Sequence, residues 1–569
     1  MIESSTTDER VKRKPKQASA HSVPALVSCA LVLTVYGAGA GPSREIGFPK
    51  PVHATPAPLD LRGVHIPGSE FIVLAADPPE IVIRPTADLP PLLRKKIDNA
   101  VDRGVAFLKR VQGPSGSFGD TVPIKRVKLS YPEAYAALPG LALLESGMPP
   151  DDPVIQRAAN LVRKLSSTLT STYEIALAAL FLERLGAPED CGLSRSLALR
   201  LAAGQGVLGG WGYTCPALSP AQEERLLQIL REKSEKTDLP DPKAKAPVSD
   251  IADNSNTQFA VLALAAMRKY DLPLDHTFKL VERRFRASLK ATGWGYKMGM
   301  GGFGGMTCAG LLGLATARAS GAKDVSWPED RSHDEGIARG LAALSRHMAD
   351  PRDRGAGDGP TNAINLYFFW SVERVGVLCG VDTIGGRDWY RWGVDLLLPN
   401  QNADGSWTGR GNGDFAPVVD TSMALLFLRR ADLLPDLRES LQERLSIIDP
   451  GPGTKTGSKK SPSEKKARPV KDKESGTVRH RIDLGSIKTK QFTKMTLQVR
   501  GPGSFRITGI RGGDDEIRVE LTSSSEDAHQ LTFTFNPQKT GDLHRRIYLV
   551  TDILGQSLIP LQLRAKSEP

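Results

Sequence analysis

Four segments of the chain repeat one plan: a helix-forming stretch, often a Gln, then an aromatic residue flanked by glycine. They are Val101 to Gly119 (VDRGVAFLKRVQGPSGSFG), Leu197 to Tyr213 (LALRLAAGQGVLGGWGY), Phe278 to Tyr296 (FKLVERRFRASLKATGWGY) and Trp389 to Gly409 (WYRWGVDLLLPNQNADGSWTG). Each is followed by a second apolar helix that tends to open with Thr or Ser. A unit of two helices cannot bury its own apolar face, so it must stack on copies of itself.

The periodicity predicts apolar helices over Ser130 to Gly147, Thr170 to Gly186, Asn254 to Tyr270, Met306 to Gly321, Thr361 to Gly380 and Val418 to Ala431. Ser130, Thr170 and Thr361 supply N-cap chemistry, and Gly147, Gly186, Gly321 and Gly380 supply stops. The partner helices fall over Asn99 to Gln112, Pro153 to Ser166, Ser194 to Gln205, Phe278 to Leu289, His333 to Met348 and Trp389 to Gln401. Charged, amphipathic members (VERRFRASL, HDEGIARGLAAL) alternate with nearly uncharged ones (TQFAVLALAAM, TCAGLLGLATA), so one set faces solvent and the other is enclosed. Twelve helices alternating in this way make a closed double ring.

The intact element Gln401-Asn402-Ala403-Asp404-Gly405-Ser406-Trp407-Thr408-Gly409 resembles the Q-x-x-D-G-S-W-x-G repeat of squalene and oxidosqualene cyclases and of protein prenyltransferase β subunits. The likeness spans roughly residues 90 to 448, with one strong copy and three degraded ones. It implies an (α/α)6 toroid with a cavity at the centre of its inner ring. Cyclases of this kind protonate their substrate with the middle Asp of Asp-x-Asp-Asp-Thr-Ala. Here Pro417-Val418-Val419-Asp420-Thr421 puts Val419 in the donor slot, and Asp253-Asn254-Ser255-Asn256-Thr257 puts Ser255 there. Prenyltransferases need Asp, Cys and His around zinc. Cys308 and either Asp253 or Asp420 match, but His276, His333 and His347 fall in or beside outer helices, so neither a metal nor another cofactor is expected.

Polar residues at inner-helix mouths then become the candidates. Glu174, Asp253 and Asp420 are expected to point carboxylates into one basin, where a raised pKa would suit acid/base work. Tyr173, Asn256, Thr257, Gln258, Cys308, Asn362, Asn365, Tyr367 and Thr421 are candidate ligand contacts, as are Tyr131 and Glu133 at the same mouths. Asp420 and Asn256 also suit plain N-capping. Aromatic residues are only 6% of the chain, and the inner helices read as mostly Ala, Leu and Gly, so a cation-stabilising aromatic lining is not expected.

Five regions follow from these patterns. Residues 1–40 pair Arg10, Lys12, Arg13, Lys14 and Lys16 with an apolar run from Val23 to Val35 and small residues up to Ala40, as in a signal peptide or an N-terminal anchor. Residues 41–91 are Pro-rich and extended, with Phe71 to Leu74 and Ile81 to Ile83 able to dock as strands. The toroid occupies 92–448, and residues 449–477 form a Lys/Pro-rich linker. Residues 478–569 switch to two-residue alternation in seven short strands and resemble Ig-like modules of bacterial cell-envelope proteins.

Of the net charge of +11, residues 1–40 hold +2 and residues 450–476 hold +5, leaving the folded body without a basic footprint for nucleic acid. The expected protein is therefore exported to the periplasm, envelope or exterior, or held at the membrane by its first segment. Its expected partner is a hydrophobic small molecule or an envelope polymer, with the Lys-rich linker able to touch an anionic membrane. The alternative is an enzyme, either a divergent cyclase or transferase or a carbohydrate-active enzyme using the cavity carboxylates.

Overall fold

The structure is a computed structural model describing residues 72–74, 80–82, 89–118, 134–235, 251–320, 334–349, 364–409, 417–431, 433, 434, 438 and most of 480–569. The apolar leader, most of the Pro-rich stretch, the linker, His333 and the candidates Tyr131, Glu133 and Asn362 lie outside the described residues.

Two short strands, β1 (Ile72–Leu74) and β2 (Glu80–Val82), precede the helical body. Then come α1 (Pro91–Val111), α2 (Ala134–Glu145), α3 (Pro153–Leu165), α4 (Thr172–Leu185), α5 (Cys191–Ala203), α6 (Pro220–Glu235) and α7 (Asn254–Ala266). They are followed by α8 (Asp275–Ser288), α9 (Gly304–Ser320), α10 (Glu335–Ala349), α11 (Leu366–Cys379), α12 (Trp389–Leu397) and α13 (Pro417–Arg429).

Helices α2, α4, α7, α9, α11 and α13 pack in that order, and α13 returns to α2, so the inner ring is closed. Their partners form the outer layer: α1 on α13, α3 on α2, α5 on α4 and α7, α8 and α10 on α9, and α12 on α11 and α13. Burial follows the layers. Every residue of α9 is buried, whereas α3 buries one stripe, Val154, Ile155, Ala158, Ala159 and Val162. The extra helix α6 packs on the outer helices α5 and α8.

The repeat earns its sequence at the outer-to-inner turns. The indole N–H of Trp211 donates to Leu201 O at 2.7 Å, that of Trp294 to Phe285 O at 2.8 Å and that of Trp407 to Leu397 O at 2.9 Å, each satisfying a carbonyl at the end of its outer helix. The backbone N–H of each Trp in turn donates to a Thr of the next inner helix: Thr257 at 3.0 Å, Thr307 at 3.4 Å and Thr421 at 3.0 Å. The repeat Gln spans to the next outer helix, with Gln112 reaching Val154 O, Gln205 reaching Thr277 O and Gln401 reaching Ala100 O, which joins the last repeat to the first. Gly116, Gly209 and Gly405 sit at φ +96°, +80° and +92°, and a Cβ on any of them would strike a backbone carbonyl of the adjoining outer helix.

Helix starts depart from the expected caps. Ser171, not Thr170, caps α4, and Asn365 caps α11 by accepting from Phe368 N at 3.1 Å. Gly186 and Gly380 close α4 and α11 in the left-handed conformation, as their sequence positions suggest.

The C-terminal strands are β5 (His480–Lys488), β6 (Thr493–Arg500), β7 (Ile507–Arg511), β8 (Ile517–Ser524), β9 (Ala528–Phe535), β10 (Gly541–Thr551) and β11 (Leu558–Glu568). One sheet runs β1-β6-β9-β8 with β2 also on β6, and the other runs β5-β11-β10-β7. Alternate residues such as Leu497, Val499, Phe533, Ile547 and Leu561 meet in one core between them. Both N-terminal strands pair with β6 in parallel, so chain preceding the toroid extends a sheet that follows it. The two-sheet domain lies against the ends of the inner helices: Arg429, at the end of α13, donates to Asp552 O, and Arg511 donates to Glu183 O in the last turn of α4 at 3.2 Å.

Candidate functional site

All six inner helices begin at one end of the ring, here called the mouth, opposite the two-sheet domain. Asp253 is the N-cap of α7, and its carboxylate accepts the backbone N–H and the side-chain amide of Asn256, both at 2.8 Å. Burial raises its pKa against the opposing hydrogen bonds from Asn256, Tyr296 and Ser255. Asn256 is thus not a cap: it faces the capping carboxylate, and its Oδ1 is buried without a protein partner. Asp420 lies inside the first turn of α13 and accepts Gly409 N–H at 2.9 Å, tying the repeat turn to the helix instead of capping it. Burial pushes its carboxyl up to about 6, with the Gly409 hydrogen bond opposing.

These acids are spread around the ring. In the ring order α7, α9, α11, α13, Asp420 stands three helices from Asp253, on the opposite side of a six-membered ring. Glu174, buried in the first turn of α4, neighbours α7 alone of those two. The remaining candidates divide. Thr257 and Thr421 give their hydroxyls to the Trp turns, Asn365 gives its side chain to an N-cap, and Cys308 is buried within α9.

Tyr173, Gln258 and Tyr367 do meet, on the axis of the ring. Tyr173 Oη donates to Ser255 Oγ at 2.8 Å, Ser255 Oγ lies 3.1 Å from Tyr367 Oη, Tyr367 Oη donates to Gln258 Oε1 at 2.8 Å, and Gln258 Nε2 donates to Ser371 Oγ at 3.2 Å. Because α7 and α11 are separated by α9, these bonds cross the ring. Phe259 stacks on Trp370 across the same gap with ring centres 5.0 Å apart, and Tyr173 meets Phe259 edge-on at 5.2 Å.

Ser255, Gln258, Phe259 and Trp370 are each no more than 3% exposed, so these side chains are closely packed. The expectation of an aromatic-poor interior is thereby corrected: a low overall aromatic content is concentrated where α4, α7 and α11 meet. Where α4, α7 and α11 meet, the described side chains form a packed polar and aromatic cluster.

At the mouth the same aromatic series reaches the surface. Tyr213 is 42% exposed, its ring centre is 6.5 Å from that of Tyr173, and its hydroxyl lies 2.5 Å from that of Tyr296. Exposed Ile251 and Met300 flank the pair, packed beside Gly212 and Gly295 respectively. The sequence carried a signal for these tyrosines, since Trp-Gly-Tyr recurs at 211–213 and 294–296. Ser255, Ser371, Phe259 and Trp370 had no comparable signal, because their importance lies in which helices face each other.

No protein-family model matches the chain, and no curated protein does. Among solved structures, it is similar to a GH76A alpha-1,6-mannanase from Salegentibacter sp. HEL1_6, with 9% identity and a TM-score of 0.37 over 59% of this chain and 99% of that one. It is also similar to the type II terpene cyclase MstE from Scytonema, with 14% identity and a TM-score of 0.36 over 62% and 99% of the two chains. A protein from Actinoplanes gives 15% identity and a TM-score of 0.33 over 59% and 99%. At those scores the likenesses carry no weight for activity, and the helix contacts themselves define the fold. The chain is an (α/α)6 toroid followed by a two-sheet β domain.

Proposed function

We propose that this is an exported binding protein whose ligand, a hydroxyl-rich envelope polymer such as a glycan, engages the mouth of the toroid at Tyr213 and Tyr296. The carrying observation is the pairing of exposed Tyr213 with half-buried Tyr296 above the buried Asp253–Asn256 network. Aromatic faces stack on the apolar faces of sugar rings, phenol hydroxyls exchange hydrogen bonds with sugar hydroxyls, and Ile251 and Met300 extend the apolar rim. The crowded axis favours a ligand lying on the mouth over a long isoprenoid enclosed in the ring. On this reading the N-terminal segment directs export, the two-sheet domain is an Ig-like spacer, and the Lys-rich linker can rest on anionic surfaces.

Calorimetric titration of soluble envelope glycan fragments tests the reading. Saturable binding is expected, weakened about tenfold or more by Tyr213→Ala together with Tyr296→Ala, the loss of about 1.4 kcal/mol or more. Binding indifferent to both changes, or no glycan binding alongside tight binding of an isoprenoid, would overturn it.

One observation favours an enzyme as a second reading: Asp420, buried with its carboxyl near 6, is poised for proton transfer at neutral pH. Hydrolysis of those same glycans, abolished by Asp420→Asn, would support this reading, and intact glycans after prolonged incubation would count against it.

A further inference from the structure

At the end of the ring opposite the mouth, the inner helices finish in a buried cluster of charge that the proposed binding face does not use. Arg184, near the end of α4, is 1% exposed, and its Nε donates to Glu145 at the end of α2. Its two terminal nitrogens, Nη1 and Nη2, are buried without a partner among the described residues. Arg511 reaches the same place from β7 of the two-sheet domain. Its Nη1 is held by Glu183 O, while Nε and Nη2 are buried without a partner. The guanidinium lies against Gly186, where a Cβ would come within 3.0 Å of Nε, so the left-handed glycine that ends α4 also makes room for the arginine.

Among the described residues, the charges facing Arg511 do not balance. Arg184, Glu145 and Glu183 come from the inner helices, Lys269 and Tyr270 from the turn after α7, and Lys269 is already paired with Glu183 at 2.9 Å. Among the described residues, three cations, Arg184, Arg511 and Lys269, therefore meet two carboxylates, Glu145 and Glu183. Burial and then the Arg184 charge push the Arg511 pKa down to about 9, the response of a cation lacking a counter-charge. Buried guanidinium nitrogens without acceptors are costly, and the excess of one positive charge specifies what would satisfy them.

We infer that Arg184 and Arg511 hold a small inorganic anion, a halide or an oxyanion such as phosphate or sulfate, which fastens the two-sheet domain to the toroid. The anion accepts from Arg184 Nη1 and Nη2 and from Arg511 Nε and Nη2, so its site is complete only when the domains are docked. Anion binding and domain docking are then linked, each strengthening the other.

The test is thermal unfolding of the full chain at fixed ionic strength, with gluconate replaced stepwise by chloride, sulfate or inorganic phosphate. The expected result is a rise in Tm that saturates, by about 3–6 °C for the preferred anion. A halide site prefers chloride, and an oxyanion site prefers phosphate or sulfate. Arg511→Met is expected to remove the saturating part and leave only the shallow, non-saturating salt effect common to proteins. Arg511→Lys, which keeps the charge but loses the fork of donors, should raise the apparent Kd about tenfold or more. Identical melting in all four anions, or an undiminished saturating response in Arg511→Met, overturns the inference. Should Arg511→Met fail to fold, the wild-type titration decides alone: saturation with anion preference supports the site, and its absence refutes it.

Discussion

Asp420 shows how one residue can be read two ways from sequence and only one way in the fold. Its place at a helix mouth suggests a cap, yet its carboxylate leaves its own helix and accepts Gly409 N–H across the turn. That buried carboxyl, with a pKa near 6, lies above the ordinary Asp value of about 3.9. The folded state thus binds the proton more tightly than the unfolded chain, so the penalty for ionising Asp420 is absent below about pH 4, grows between about 4 and 6 and is complete above. Asp420→Asn, which still offers Gly409 an acceptor, should stabilise the protein at pH 7.5 by about 2–3 kcal/mol and leave it unchanged near pH 4. Unfolding curves for both proteins over that range check this. A stability difference that does not vary with pH would show that the carboxyl ionises normally.

Among the elements, the outer-to-inner turn is the unit that builds the ring. Three turns use Trp in one way, closing an outer helix with the indole and pinning an inner helix through Thr. Trp211→Phe, Trp294→Phe and Trp407→Phe each strand a buried carbonyl, and each should cost about 1–3 kcal/mol, with the three values within about 1 kcal/mol of one another. Chemical denaturation of the three variants measures it, and a cost confined to one site would deny the equivalence. Gly405→Ala should be worse, about 2–4 kcal/mol, because it adds left-handed strain to a collision with the Arg103 carbonyl of α1. The helices and these turns were legible in the sequence because 3.6-residue periodicity and the Gly-aromatic signature are local. The start of α1, eight residues ahead of the Asn99 expected, was missed because four of the eight residues from Pro91 to Asp98 are charged and Ile97 alone of them is buried, so the stretch shows little helical apolar periodicity.

For the whole molecule, closure of six inner helices puts α7 opposite α13 and brings α4, α7 and α11 side chains together at the axis. No local pattern encodes those relations. Asp253 and Asp420 therefore look alike in sequence yet stand on opposite sides, while Ser255, a residue read only as a missing acid, joins Tyr173 to Tyr367. The strands at Ile72–Leu74 and Glu80–Val82 were visible by composition, but their pairing with β6, more than four hundred residues later, was not.

The central proposal is that side chains fill the ring axis and that recognition belongs to the mouth. Xenon enters dry apolar cavities and leaves packed cores alone. A crystal structure under xenon pressure should show no xenon among Tyr173, Phe259, Tyr367 and Trp370. Strong xenon density between Phe259 and Trp370, with the Ser255 hydrogen bonds displaced, would contradict the claim and reinstate an enclosed ligand chamber.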